Sequence, residues 1–204
     1  MPTRIAIVGN APTDEDRSSL IDGADYVVRF NNAFGYGGVT GMRIDELYLI
    51  NCGGQPLEWL RSDAFWSRDY LARTSCITLP LAAQNRRPSL AIIDNDNGRS
   101  VDGLNFEWEM RAVLRPLGKT VRTLAPATVT AARSALRASG ADSAEINPST
   151  GYLAAFTCLE RCARDTIVEL YGFTFVGWGG HSWDAEKAWV LDQQIKGRLN
   201  WHQP

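Results

Sequence analysis

Residues 4–32 read RIAIVGNAPTDEDRSSLIDGADYVVRFNN, and the two ends of this stretch decide the fold. Arg4–Val8 is a short apolar run closed by Gly9 and Asn10, the pattern of a buried strand meeting a turn. The segment DEDRSSLID after Pro12 suits a short helix, with Thr13 placed to cap it. Tyr26–Phe30 is a second strand. A strand that is apolar on both faces, then a helix, then a strand opens a parallel sheet covered on both sides. The second strand has an oddity at its end. Arg29 and Asn31 alternate with Val28 and Phe30 and so share one face, with Asp22 and Asp25 close enough in sequence to pair with Arg29. One reading is an edge strand with a solvated polar face. The other makes Asn31 a ligand contact and Arg29 its support.

The alternation continues outward. Residues 45–51, 75–81, 89–94, 121–125 and 166–173 read as further strands. Helices are expected over 55–71, 105–118, 149–165 and 182–199. The whole is an α/β chain, a Rossmann-like, mostly parallel sheet with helices on both faces, in a single domain spanning 1–204.

Composition narrows the function. Among 204 residues the formal net charge is −2 and no block of basic residues occurs, so a nucleic-acid partner is not expected. The start, MPTRIAIVGN, lacks the apolar core of a secretory signal, and no apolar run reaches a membrane span. Cysteines stand at 52, 76, 158 and 162. Cys158 and Cys162 are one helical turn apart, which a packed helix face explains, and nothing nearby completes a zinc set. Reduced thiols and a cytoplasmic location are therefore expected.

Four places carry candidate chemistry, three of them just past a strand's carboxyl end, where open α/β sheets bind ligands. Gly9–Asn10 combines a glycine that lets a ligand approach with an amide that both donates and accepts. A plain turn is the simpler alternative. Asn31 with Arg29 is the second place. The third is INPSTGYLAAF, where Ser149, Thr150 and Gly151 open a helix whose free N–H groups suit an anion, or serve as an ordinary cap. The fourth is YGFTFVGWGGHSWDAE, in which glycines lead to His181 with Glu186 five positions on. A histidine there can take a proton from a sugar hydroxyl. A competing feature is Asp94-Asn95-Asp96, a D-x-D turn able to hold a divalent metal and a nucleotide-diphosphate sugar.

Taken in order, these segments resemble the sialyl motifs of the animal-type sialyltransferases, glycosyltransferase family 29. AIVGN, IDGADYVVRFN and TGMR resemble the long motif, whose pattern falls on Ile21, Asp22, Asp25, Val27, Arg29 and Asn31. NPSTGYLAAF with VELYGF resembles the short motif, and HSWDAE the very short one. The middle of the chain, about 55–145, has no counterpart. The resemblance implies a variant GT-A fold that takes sialic acid, or a related ulosonic acid such as Kdo, from a CMP-sugar without metal or other cofactor. Its acceptor would be a glycan or a glycolipid, the latter with peripheral contact to a membrane. Gly9, Asn10, Ala11, Arg29, Asn31, Ser149, Thr150, Gly151, Gly172, Phe173 and Thr174 would form the CMP-sugar site. His181 would be the base, with Glu186 orienting or supporting it.

The chain departs from the family's pattern in three ways. Ile5 stands where family members usually carry a bridging cysteine, which suits a bacterial relative in a reduced compartment. The gap between the last two motifs is too short for the family's additional histidine motif. HSWD can be read as that motif, which would turn His181 toward the leaving phosphate. Lastly, the chain is short, so an acceptor lobe would be reduced or supplied by another subunit. A module that binds CMP or a CMP-sugar without turning it over is the non-enzymatic alternative.

Overall fold

The computed structural model describes residues 3–83, 103–142 and 146–203. Among the described residues, seven strands form one sheet: β1 Arg4–Val8, β2 Tyr26–Phe30, β3 Glu46–Tyr48, β4 Cys76–Leu79, β5 Thr120–Thr123, β6 Ile167–Tyr171 and β7 Asn200–His202. Their order is β5-β4-β3-β2-β1-β6-β7, and every neighbouring pair is parallel. The chain runs outward from β1 as far as β5, then returns to lay β6 on the other side of β1. The strand order therefore reverses between β1 and β6, the topological switch point of a doubly wound sheet.

Helices cover both faces, as the period of two in the strands demands. One face carries Ile5, Ile7, Val28, Phe30, Val168 and Leu170. Over it pack α6 (Pro126–Ala138), α7 (Thr150–Arg161) and α8 (Trp183–Ile195). The opposite face has two patches. Ala6, Val8 and Val27 pack with Ile21 of α1 (Ser18–Asp22), and Leu47, Ile77 and Leu79 pack beneath α2–α5. These four are Gly54–Leu60, Asp63–Trp66, Asp69–Arg73 and Glu107–Leu114. Ala6, Ile7, Val27 and Val28 have no exposed surface. Complete burial of a Val or Ile side chain is worth about 1.5–3 kcal/mol, so the centre of the sheet anchors the fold.

Several elements differ from the sequence reading. The first helix is short because side chains occupy the turns ahead of it: Thr13 Oγ1 accepts from Glu15 N at 3.3 Å and Asp16 Oδ1 from Ser18 N at 2.9 Å. The helix expected over 55–71 is three pieces, broken where Ser62 and Arg68 are extended. The breaks let Trp59 and Phe65 stack face to face, with centroids 4.5 Å apart. Helix α6 and strand β7 went unread. The strand expected at 89–94 lies outside the described residues, as does the Asp94–Asp96 turn.

Candidate active site

The carboxyl ends of β1, β2 and β6 and the start of α7 enclose a crevice of about 390 Å³ at the switch point. Asn10, Ala11 and Asn31 line one side of it, and Gly172, Phe173 and Thr174 another. Ser149, Thr150 and Gly151 form a third side, and His181 closes the fourth. Ten of the thirteen residues expected at the site thus meet in one hollow. Sequence reasoning missed Pro12, Phe30, Phe175, Val176 and Trp183, which also line it. For Phe175, Val176 and Trp183 the signal was the aromatic and apolar run around the glycines at 177, 179 and 180. Among the described residues, none that lines the crevice is an Asp, Glu, Lys or Arg, and His181 is its one titratable lining side chain.

Gly9 is the first correction. It does not line the hollow; it faces the backbone at Tyr171 and Gly172. A Cβ on Gly9 would lie 2.0 Å from Gly172 O, while Gly9 N donates to Tyr171 O at 2.6 Å. The glycine is required where the β1 and β6 ends cross, so the close approach is between backbones.

Arg29 is the second. Its guanidinium is wholly buried, and among the described residues no carboxylate pairs with it by hydrogen bond. It donates to Arg43 O (3.0 Å), Thr40 Oγ1 (3.0 Å), Gly41 O (3.1 Å) and Thr40 O, and lies 5.4 Å from the Tyr36 ring. Burial lowers its pKa to about 10. The expected partners are engaged elsewhere: Asp22 accepts from the Met42 and Arg43 amides, Asp25 from Thr3 and Arg4. Arg29 therefore organises the glycine-rich loop after β2. It also does not share a face with Asn31, because Asn31 leaves the strand with φ 55° and breaks the alternation.

Both asparagines are partly committed. Asn10 Nδ2 donates to Phe30 O at 3.0 Å and its Oδ1 accepts from Phe34 N at 2.8 Å, tying β1 to the loop that Arg29 holds. Asn31 Oδ1 accepts from Ile50 N at 2.9 Å. Its Nδ2 keeps two donors for a ligand.

The start of α7 supplies the clearest anion site. Ser149 is its cap, accepting from Tyr152 N at 3.1 Å. The Thr150 and Gly151 amides have no acceptor within the helix and carry the positive end of its dipole. A Cβ on Gly151 would meet the rings of Phe30 and Phe173 at 3.0 Å, so glycine seats the helix against this aromatic pair.

His181 and Glu186 both grip the turn just before that helix. His181 Nδ1 is 2.8 Å from Asn147 O. A carbonyl only accepts, so Nδ1 carries the proton and Nε2 is left with a lone pair. Burial lowers the His181 pKa below its usual 6.5, against the opposing pull of that hydrogen bond, which keeps the ring neutral near pH 7. Glu186, in α8, is 1% exposed and lies behind Ser149, away from the crevice. Its two oxygens accept from Ser149 N and Ser149 Oγ, each at 2.7 Å. Burial raises its pKa to about 7, although both Ser149 bonds favour the charged form. Glu186 is thus a positioning residue, and the proton of the Ser149 hydroxyl is committed to it.

A doubly wound parallel sheet whose switch-point crevice ends on a helix N-terminus belongs to the class of α/β proteins built to seat an anionic ligand there. The chain itself belongs to glycosyltransferase family 29 (sialyltransferase), which matches over residues 3–191. It is also 31% identical to the urease operon 23 kDa accessory protein of Rhizobium meliloti (strain 1021), over 96% of this chain and 90% of that protein. Two crystal structures of a mammalian sialyltransferase share the fold. One superposes with a TM-score of 0.63, and the other, in complex with Gal-beta-1-3GalNAc-ortho-nitrophenol, with 0.62. Each is 19% identical and covers 98% of this chain and 68% of the other.

Proposed function

We propose that this chain transfers a ulosonic acid, sialic acid or Kdo, from its CMP-activated form to a hydroxyl of a glycan or glycolipid acceptor, without a metal. The observation that carries the reading is the single crevice in which the α7 N-terminus and the neutral His181 face the ends of β1, β2 and β6. The donor phosphate would rest on the Thr150 and Gly151 amides, with Asn31 Nδ2 and the Gly172–Thr174 segment holding the nucleoside. Neutral donors and a helix dipole suit a phosphodiester with one negative charge. His181 Nε2 takes the proton of the acceptor hydroxyl as its oxygen attacks the anomeric carbon and the bond to CMP breaks. General-base help of this kind is worth about 10²–10⁴-fold, and the helix N-terminus stabilises charge building on the departing phosphate. Family membership supports a sugar donor and a glycan acceptor. Among the described residues, no group of three or more His, Cys, Asp or Glu is disposed to hold a metal ion.

Thermal shift with CMP, CDP, UDP, CMP-sialic acid and CMP-Kdo tests the donor. A ligand at a hundredfold excess over its dissociation constant adds about 2.7 kcal/mol of apparent stability. Stabilisation by CMP and a CMP-sugar but not by UDP is expected, and the reverse refutes the reading. Full activity in EDTA removes a metal-dependent transferase working through Asp94 and Asp96.

A second reading draws on the relative named as an accessory protein of a urease operon. An accessory role is compatible with the non-enzymatic alternative, a chain that binds CMP or a CMP-sugar without turning it over. CMP binding with no donor consumption across a broad acceptor panel would favour it.

A further inference from the structure

Phe175 stands in the left-handed region, with φ 54°, although its bulky side chain disfavours that conformation. It is buried and lines the crevice. Strain of this kind persists only where the surroundings impose it. The imposing group is Trp201 of β7. Its indole meets the Phe175 ring edge to face, with centroids 5.1 Å apart. The same indole donates from Nε1 to Phe173 O at 3.2 Å. Phe175 in turn lies 6.0 Å from the Phe173 ring, which meets Phe30 at 5.6 Å. One side chain thus fixes both backbone and ring along the aromatic wall, from behind it, since Trp201 does not itself line the crevice.

Trp201 is anchored in its turn. Its N donates to Gln194 Oε1 of α8 at 3.0 Å, and Lys187 Nζ of the same helix lies 5.8 Å from the indole centroid. The next residue, His202, stacks flat on Tyr171 at 4.4 Å, with Nε2 3.1 Å from Glu169 Oε1. Strand β7 follows the residues that match the family, so family membership does not supply this brace.

We propose that Trp201 is a positioning residue for the donor nucleotide, holding Phe175 left-handed so that the Phe173–Phe175 wall is formed before the ligand arrives. The inference rests on the proposed CMP-sugar site. A wall ordered only on binding would weaken affinity by the freedom it loses, and a pre-formed one avoids that loss.

Trp201→Phe tests this, because it keeps an aromatic ring against Phe175 and lacks the indole N–H. In the ligand-free protein, the one-bond Cα–Hα coupling of Phe175, which separates positive from negative φ, should move to the value for negative φ. An unchanged coupling overturns the proposal. The calorimetric Kd for CMP should rise about tenfold, the effect of 1.4 kcal/mol, and donor KM should rise with it while kcat and acceptor KM hold. In a Phe175→Gly background positive φ carries no penalty, so there the same substitution should change Kd by no more than about twofold. A tenfold factor in both backgrounds would make Trp201 a general support of the fold and overturn its assigned role. Failure of CMP to bind the unaltered protein would instead refute the donor reading, while the Phe175 coupling would still decide whether Trp201 sets the wall.

Discussion

Replacing Glu186 by glutamine should make the protein gain stability relative to its parent as pH rises. The carboxylate is buried, and its pKa is raised from 4.5 to about 7 by loss of hydration. In the unfolded chain it ionises near 4.5, so between these values the folded state holds the extra proton. Stability from the protonated group is complete below about pH 4.5 and is lost as pH rises through about 7. At 1.36 kcal/mol per unit, the shift amounts to roughly 3 kcal/mol by pH 9. Glutamine mimics the protonated acid and cannot ionise, so it escapes this loss. It does give up one of the two acceptor oxygens now facing Ser149 N and Oγ, a penalty that shifts its stability equally at every pH. The test is therefore the difference between the two proteins, which also cancels the titration of all other groups. In thermal melts at pH 5, 7 and 9, the glutamine variant should gain roughly 6–12 °C on the parent between the extremes. A difference that stays constant from pH 5 to 9 would refute the reasoning, because Glu186 would then titrate alike in both states.

Three further outcomes follow from the same geometry. His181→Ala should lower turnover by about 10²–10⁴-fold while CMP affinity, measured by calorimetry, changes little; an equal loss of both would make His181 a phosphate contact. Because the working imidazole is the neutral one and its pKa is lowered, the acid limb of kcat/KM that remains in Glu186→Gln, once the carboxyl that titrates near 7 is removed, should have its midpoint below pH 6.5, and no such limb should exist if His181 is not the base. Arg29→Met should cost about 3 kcal/mol in urea unfolding, by leaving buried acceptors at Thr40, Gly41 and Arg43 unmet, and should weaken CMP binding by loosening the loop that Asn10 joins. Lysine at the same position should not rescue it, since one ammonium cannot reproduce the planar fork; an unchanged midpoint in either variant would contradict the assigned role.

The sheet's centre was legible because β1, β2 and β6 are short apolar runs ended by glycine or asparagine, and burial on both faces leaves them no other place. Strand β7 was not, because three residues, Asn200–His202, acquire strand character only by pairing with β6. It matters to the site all the same: Trp201 Nε1 donates to Phe173 O at 3.2 Å and steadies the crevice wall. Helix α6 was overlooked although Pro126 opens it and Val129, Ala132 and Leu136 recur at helical spacing. Its small residues make a faint stripe. The polar end of β2 reads as one site in the sequence, but its two residues take separate places in the structure. Local alternation cannot foresee that Asn31 turns into the left-handed region, sending its side chain to the crevice while Arg29 stays beneath a loop.

What no local pattern could supply is that the last motif acts on the one before it. His181 reaches Asn147 across 34 residues and Glu186 reaches Ser149 across 37, so base and carboxylate grip a single turn from the two ends of HSWDAE. Burial moves these two groups in opposite senses in pH, the imidazole below 6.5 and the carboxyl up to about 7. Both changes hold the site in its uncharged form at mildly acid pH, with a neutral ring and a protonated acid. The arrangement the proposed transfer needs is different: Nε2 free to accept a proton, and a carboxylate taking both Ser149 hydrogen bonds so that the Thr150–Gly151 amides stay aimed at the phosphate. That combination prevails only above about pH 7, where the buried charge on Glu186 also makes the fold less stable. Activity and stability therefore pull in opposite directions at this one turn, as they do where a binding site requires an ionised group inside a core.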